Sequence, residues 1–194
     1  MFLKSVFIGF LSFSILHADT LKECKTEADK ISGCVVKEYD ENGNLWREIP
    51  YKNDKIEGIE KWYDENGNLK IEIPYKNDKI EGIAKVYFEN GKLKIETPFK
   101  NGKIEGIEKW YYENGNLASE TPHKNDEAHG NLKYYTEDGK LLALLKAKND
   151  KIISGKCFNN KVLTDKEIDE IDINDIEKAI NYLKEICLKE SDSK

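Results

Sequence analysis

Surface chemistry needs particular residue types in a singular setting, and four groups in this chain qualify for a test. His123 and His129 are the histidines beyond the first 18 residues. Such a pair could hold a metal or move a proton. They stand, however, where other copies of a repeated unit carry Tyr or Phe and Glu, so they read as drift within that unit. Loops such as Asp64-Glu65-Asn66-Gly67-Asn68 offer oxygen ligands. They lack the spaced carboxylates ending in a bidentate Glu that calcium loops use, and turn chemistry already accounts for each residue. Glu48, Glu72, Glu96 and Glu120 recur at one position, which leaves none of them the singular environment that shifts a catalytic pKa. Cys24, Cys34, Cys157 and Cys187 form no CxxC pair and have no histidine near either couple, which argues against zinc. With no phosphate loop, nucleophile elbow or HExxH stretch, the expectation is a non-enzyme with no catalytic residue, metal or cofactor.

What remains is recognition. Trp46, Trp62, Trp110 and Tyr134 are the candidate partner contacts, since Trp and Tyr dominate binding hot spots. The competing reading makes them a second packed face.

These residues are positioned by a 24-residue unit, seen most cleanly from Gly58 to Glu81 and recurring from Gly82 and Gly106, with a first copy from Cys34 and a fading fifth from Gly130. A fixed period of this kind marks units that bury their apolar faces by stacking. Asn-Gly at 42–43, 66–67, 90–91 and 114–115, becoming Asp138-Gly139, predicts a β-hairpin per copy. A two-residue turn would oppose Trp62 to Ile71 and Lys61 to Glu72. A type I turn with a glycine bulge would align Tyr63 with Leu69 and Ile59 with Ile73. The second is preferred because it places the constant Tyr column (Tyr39, Tyr63, Tyr87, Tyr111, Tyr135) and Leu column on one core face. Pro50, Pro74, Pro98 and Pro122, all the prolines present, are expected at strand ends, bulges or edges.

The expected fold is mainly β: five consecutive hairpin repeats in one elongated twisted antiparallel sheet with short capping helices at both ends. The expected divisions are a signal peptide over 1–18, an N-terminal capping helix over 19–33, the array over 34–155, and a last strand and C-terminal capping helix over 156–194. The signal reading rests on Lys4, the apolar run Ser5 to Leu16 and small Ala18, and leaves no transmembrane span after cleavage. Thr20 with Glu23 is a capping-box spacing, with Leu21, Cys24, Ala28 and Ile31 on one helical face. Thr164 with Glu167 and Asn174 with Glu177 start two further helices, the second striped by Ile176, Ala179, Ile180, Leu183, Ile186 and Cys187. In an oxidising compartment the natural pairing of the cysteines is one bridge per end, although four cysteines allow three connectivities. Net charge is -6 with Lys and Glu interspersed, which argues against nucleic acid or an anionic membrane patch.

Tyr63, Asn66-Gly67, Leu69 and Gly82, with their counterparts in the other copies, resemble the variant MORN repeat across residues 34 to about 155. That resemblance implies a repeat scaffold that binds protein or lipid. Bacterial proteins of this type are often grouped with a YwqK-like antitoxin family, which implies neutralising a toxin by protein contact; others are envelope or surface proteins linked to attachment. A cytoplasmic antitoxin has no use for an export signal. The leading expectation is therefore a periplasmic or secreted interaction scaffold with an unknown protein partner, a toxin or an envelope component, and the alternatives are an antitoxin or immunity-type protein and a surface-attachment or lipid-associated protein.

Overall fold

Every hairpin begins from the same local chemistry. In the second repeat Asp64 N–H donates to Asn68 O at 3.0 Å and Gly67 N–H donates to Asp64 O at 3.0 Å, closing a type I turn that needs the left-handed Gly67 (φ 81°) as its fourth residue. The computed structural model describes residues 21–188; the signal reading over 1–18 lies outside them, as does Thr20.

The first repeat comprises β1 (Cys34–Tyr39), β2 (Leu45–Lys52) and β3 (Lys55–Ile56), and the second β4 (Gly58–Tyr63), β5 (Leu69–Lys76) and β6 (Lys79–Ile80). The third has β7 (Gly82–Tyr87), β8 (Leu93–Lys100) and β9 (Lys103–Ile104), and the fourth β10 (Gly106–Tyr111), β11 (Leu117–Lys124) and β12 (Glu127–Ala128). The fifth has β13 (Gly130–Tyr135), β14 (Leu141–Lys148) and a longer β15 (Lys151–Cys157), so the last strand starts inside the array and not at 156. All belong to one open antiparallel sheet in which the long strands neighbour one another in chain order.

The register combines features of both sequence alternatives. Tyr63 pairs with Leu69, as the glycine-bulge turn requires, but Trp62 then pairs with Ile71, Lys61 with Glu72 and Ile59 with Pro74. A second bulge at Lys70 absorbs one residue, so Lys70 and Ile71 together oppose Trp62. One slip of this kind exchanges the two faces for the rest of the strand, and the expected core ladder of Tyr and Leu is corrected on that ground. Tyr63 shares its face with Lys61 and Glu72. Its hydroxyl donates to Glu48 at 2.7 Å, as Tyr87 does to Glu72, Tyr111 to Glu96 and Tyr135 to Glu120. Tyr39, with no preceding repeat to supply a carboxylate, is 52% exposed. This tyrosine face is polar, and the packed interior forms on the opposite, tryptophan face.

Hairpins pair over six positions internally, whereas β5 and β7 pair only at Ile71–Val86 and Glu72–Lys85. The prolines set this limit from within the strands, not from their ends: Pro74 lies inside β5, paired to Ile59 on one side, and has no N–H to offer β7 on the other. A Cβ on Gly82 (φ 117°) would come within 3.2 Å of the Pro74 ring, so that crossing requires glycine. The second turn of each repeat fastens it to its predecessor. Asn77 and Asp78 both have positive φ, Asp78 Oδ1 accepts Ile56 N–H at 2.7 Å, and Asp78 N–H returns to Ile56 O at 3.1 Å.

At the amino end α1 (Glu27–Ser32) takes the place of a preceding repeat, since its Ile31 and Lys30 carbonyls accept Asn53 and Asp54 N–H. It is shorter than the expected helix over 19–33. Thr26 with Asp29 forms the capping box, and hydrogen bonds from Lys25, Lys22 and Thr26 hold the Asp29 carboxyl well below the usual carboxylate range. Lys22 to Cys24 instead runs extended beside β1, joined by Cys24 N–H to Val35 O and Val35 N–H to Lys22 O, each 2.9 Å. No residue of α1 is buried, so it caps by backbone bonds and not by an apolar stripe.

The carboxyl end is capped by packing. α2 (Asp165–Asp169) begins at the Thr164–Glu167 box, and α3 (Ile176–Leu188) begins where Asp175, not Asn174, accepts Lys178 N–H at 3.0 Å. Ile176, Ala179, Ile180, Leu183 and Cys187 are buried against Leu132, Leu142, Ala143 and Leu145 on the tryptophan face.

Candidate partner-binding site

The four candidate contacts share one face and three environments. Trp46 reaches that face as the bulge residue of its hairpin, standing with Arg47 opposite Glu38. Its ring meets Trp62 edge to face, centroids 5.1 Å apart, and the Arg47 guanidinium lies 4.5 Å above the Trp62 ring. Glu60, only 1% exposed, ties this cluster together: its Oε1 accepts Arg47 Nε and Trp62 Nε1, both at 2.7 Å. Burial, and next the Glu60 charge, push the Tyr75 hydroxyl upward beside it. Both tryptophans remain partly exposed.

Trp110 is held the same way, donating to Glu108 Oε1 at 2.8 Å while Thr97 donates to Oε2 at 3.0 Å, and its ring leans on the C-terminal core. Tyr134 is different. It is fully buried beneath the cap, and that burial, followed by the charge of Asp172, raises its hydroxyl pKa. It is core and is corrected as a contact residue, because at its position the sheet is already covered by α3.

The other sequence candidates are dispersed. His123 sits on β11 with its ring nitrogens buried, whereas His129 follows β12 and approaches Asn149 Oδ1 at 3.3 Å. The Asp64 carboxylate is occupied by its own turn, accepting the Asn66 and Asn68 amides at 2.9 Å and the Asn68 side chain at 3.1 Å, and the Asn68 bonds lower its pKa. Glu48, Glu72, Glu96 and Glu120 accept the tyrosine hydroxyls. Cys24 is bridged to Cys34 and Cys157 to Cys187, one bond at each end, pinning the segments that cover β1 and β15.

Sequence reasoning missed a cleft of about 800 Å³ between α3 and the turns of the third and fourth repeats. Phe88, Trp110 and Tyr112 line it together with Lys94, Ile180 and Lys184. The Tyr112 hydroxyl donates to Tyr135 O at 2.6 Å, and its pKa is pushed up to about 12, by burial first and then by Glu137. One signal was available: Phe88 and Tyr112 replace the aspartates that begin the first two turns, Asp40 and Asp64.

The fold and this face define a β-hairpin repeat protein whose constant positions build the sheet and whose variable positions decorate one side of it. A family model described as the MORN repeat variant matches five times, at residues 35–53, 56–77, 80–101, 104–125 and 128–149, and the chain belongs to that family. Such repeats are often protein-interaction or membrane-binding modules. A comparison with curated proteins gave no match. Among the described residues no helix is long and apolar enough to cross a membrane, and the two disulfides point to an oxidising compartment.

Proposed function

We propose that this protein is an exported, non-enzymatic scaffold of the cell envelope whose tryptophan face captures another protein. The observation that carries the reading is the Trp46–Trp62–Arg47 cluster, left partly exposed on the very face that α3 covers further along the sheet. Trp, Tyr and Arg are the residues that concentrate binding energy at interface centres, and Glu60 fixes both indole and guanidinium before a partner arrives. Export agrees with the disulfides and with the signal-like run Ser5 to Leu16.

The test is crosslinking capture from a native envelope fraction with the wild-type chain and a Trp46→Ala, Trp62→Ala double variant. Capture should fall by about tenfold or more if these are hot-spot residues, with the far-UV spectrum unchanged. Undiminished capture by a folded variant would overturn the reading. The crosslinked species also separates roles: a companion toxin points to neutralisation, an envelope component to a scaffold.

A further inference from the structure

We infer that the cleft beside α3 is the seat of an acidic amphipathic helix supplied by a protein partner. The inference rests on the protein-binding reading above and names the partner's chemistry at a second place on the same face. The chain itself shows what this face accepts, because α3 lies on it with Ile176, Ala179, Ile180 and Leu183 inward. One repeat advances the sheet by two strand spacings, about 9.6 Å, and neighbouring helices pack about 8–10 Å apart. A second helix in the same layer would therefore lie one repeat toward the amino end of the sheet, over the third and fourth repeats where the cleft opens. Phe88, Trp110 and Tyr112 would meet its apolar stripe, and α3 would form its side wall.

The bulge column sets the charge of the occupant. It reads Trp46, Lys70, Lys94, Ala118, Leu142, and its last two members are buried at the capped end. Where the cap stops, the column turns to lysine. Lys94 is half-buried, its ammonium 5.4 Å from the Phe88 ring centroid, and among the described residues no carboxylate pairs with it. Lys184 across the cleft is held by Glu137 at 3.2 Å, while Glu89, Glu113 and Glu177 stand on the exposed rim. An ammonium set beside an aromatic ring with no carboxylate of its own has a free charge for a carboxylate brought by the ligand.

The probe is a displayed library of helical peptides of roughly 14 residues, about four turns, with a fixed leucine stripe and randomised flanks. Selection uses the disulfide-intact full chain and counter-selection uses Phe88→Asp, which restores the residue of the first two turns. The expected result is enrichment of Asp or Glu on one flank, and a synthetic winner that binds wild type about tenfold more tightly than Lys94→Glu. Failure to enrich above the counter-selection, basic flanks, or equal binding to Lys94→Glu would each overturn the inference. So would Lys94-dependent binding of phosphatidylglycerol vesicles without helix enrichment, which would give the cleft to lipid. Capture through Trp46 and Trp62 is read separately, so either result can fail while the other stands.

Discussion

The two ends of the tryptophan face share a backbone and differ in what stands on it. In the second repeat the positions facing outward from this side are Glu60, Trp62, Ile71 and Ile73; in the fifth they are Leu132, Tyr134, Ala143 and Leu145. The first set is a hydrogen-bonded aromatic and ionic cluster, mostly half-buried. The second is fully buried beneath α3. The repeat thus specifies a sheet, and a handful of side chains decide whether a stretch of it becomes interior or remains a surface. A repeat array permits this because each unit needs only its neighbours for stability.

The largest expected effect breaks the comparison at its capped end. Leu183→Asp sets a carboxylate at a fully buried position and should cost about 3–5 kcal/mol. Removing both Cys157 and Cys187, whose bond spans 30 residues, should cost about 3–4 kcal/mol by loop entropy. Hydrogen exchange is the informative measurement, because protection should vanish in α3 and the fifth repeat and persist in the first and second. Uniform loss along the sheet would mean that the two ends fold as one unit and that the division is wrong.

A smaller effect tests the open end. Arg47→Ala leaves Glu60 buried without its cation; breaking a fully buried pair costs about 3–5 kcal/mol, which the partial exposure of Arg47 reduces to about 2 kcal/mol. Pairing Arg47→Met with Glu60→Gln should recover part of that loss, since the uncompensated charge is then gone. Urea midpoints of the single and double variants decide the matter. If the double variant is no more stable than Arg47→Ala, the cluster is held by something other than its ion pair.

Short-range features of this fold were readable in the sequence, and face assignment was not. Asn66-Gly67 announces its hairpin because a left-handed fourth residue needs glycine, and the positions of the cysteines at opposite ends favour one bridge per end. The bulge at Lys70 carries no such mark. Its column tolerates Trp, Lys, Ala and Leu, so nothing in composition warns that strand alternation skips there, and the constant tyrosines pass for core. An equally constant glutamate 15 residues before each later tyrosine was the available hint of a hydrogen-bonded pair. At Tyr134, burial depends on α3 arriving from about 50 residues downstream, a tertiary fact that local pattern does not encode. At the amino end the helix starts later than the sequence suggested. Its capping box is Thr26–Asp29, and the bond to Cys34 holds Cys24 in an extended path beside β1.

The smallest expected effect sharpens the contrast between the two faces. Tyr111 lies on the tyrosine face, donates to Glu96 at 2.8 Å, and has its pKa pushed up to about 12, by burial first and then by that bond. An unfolded tyrosine titrates near about 10, so the folded state holds this proton more tightly. The associated stability is complete below about pH 10 and is lost as pH rises toward about 12. Tyr111→Phe should therefore lower stability by about 1 kcal/mol at neutral pH, the usual worth of one hydrogen bond, and make the alkaline decline shallower. Urea midpoints from neutral pH to about 12 supply the measurement. An unaltered alkaline slope would show that the tyrosine ladder is incidental to a sheet held by backbone bonds alone. A flattened slope with hydrogen exchange unchanged beneath α3 would show that the polar face ties neighbouring repeats together while the opposite face builds the core.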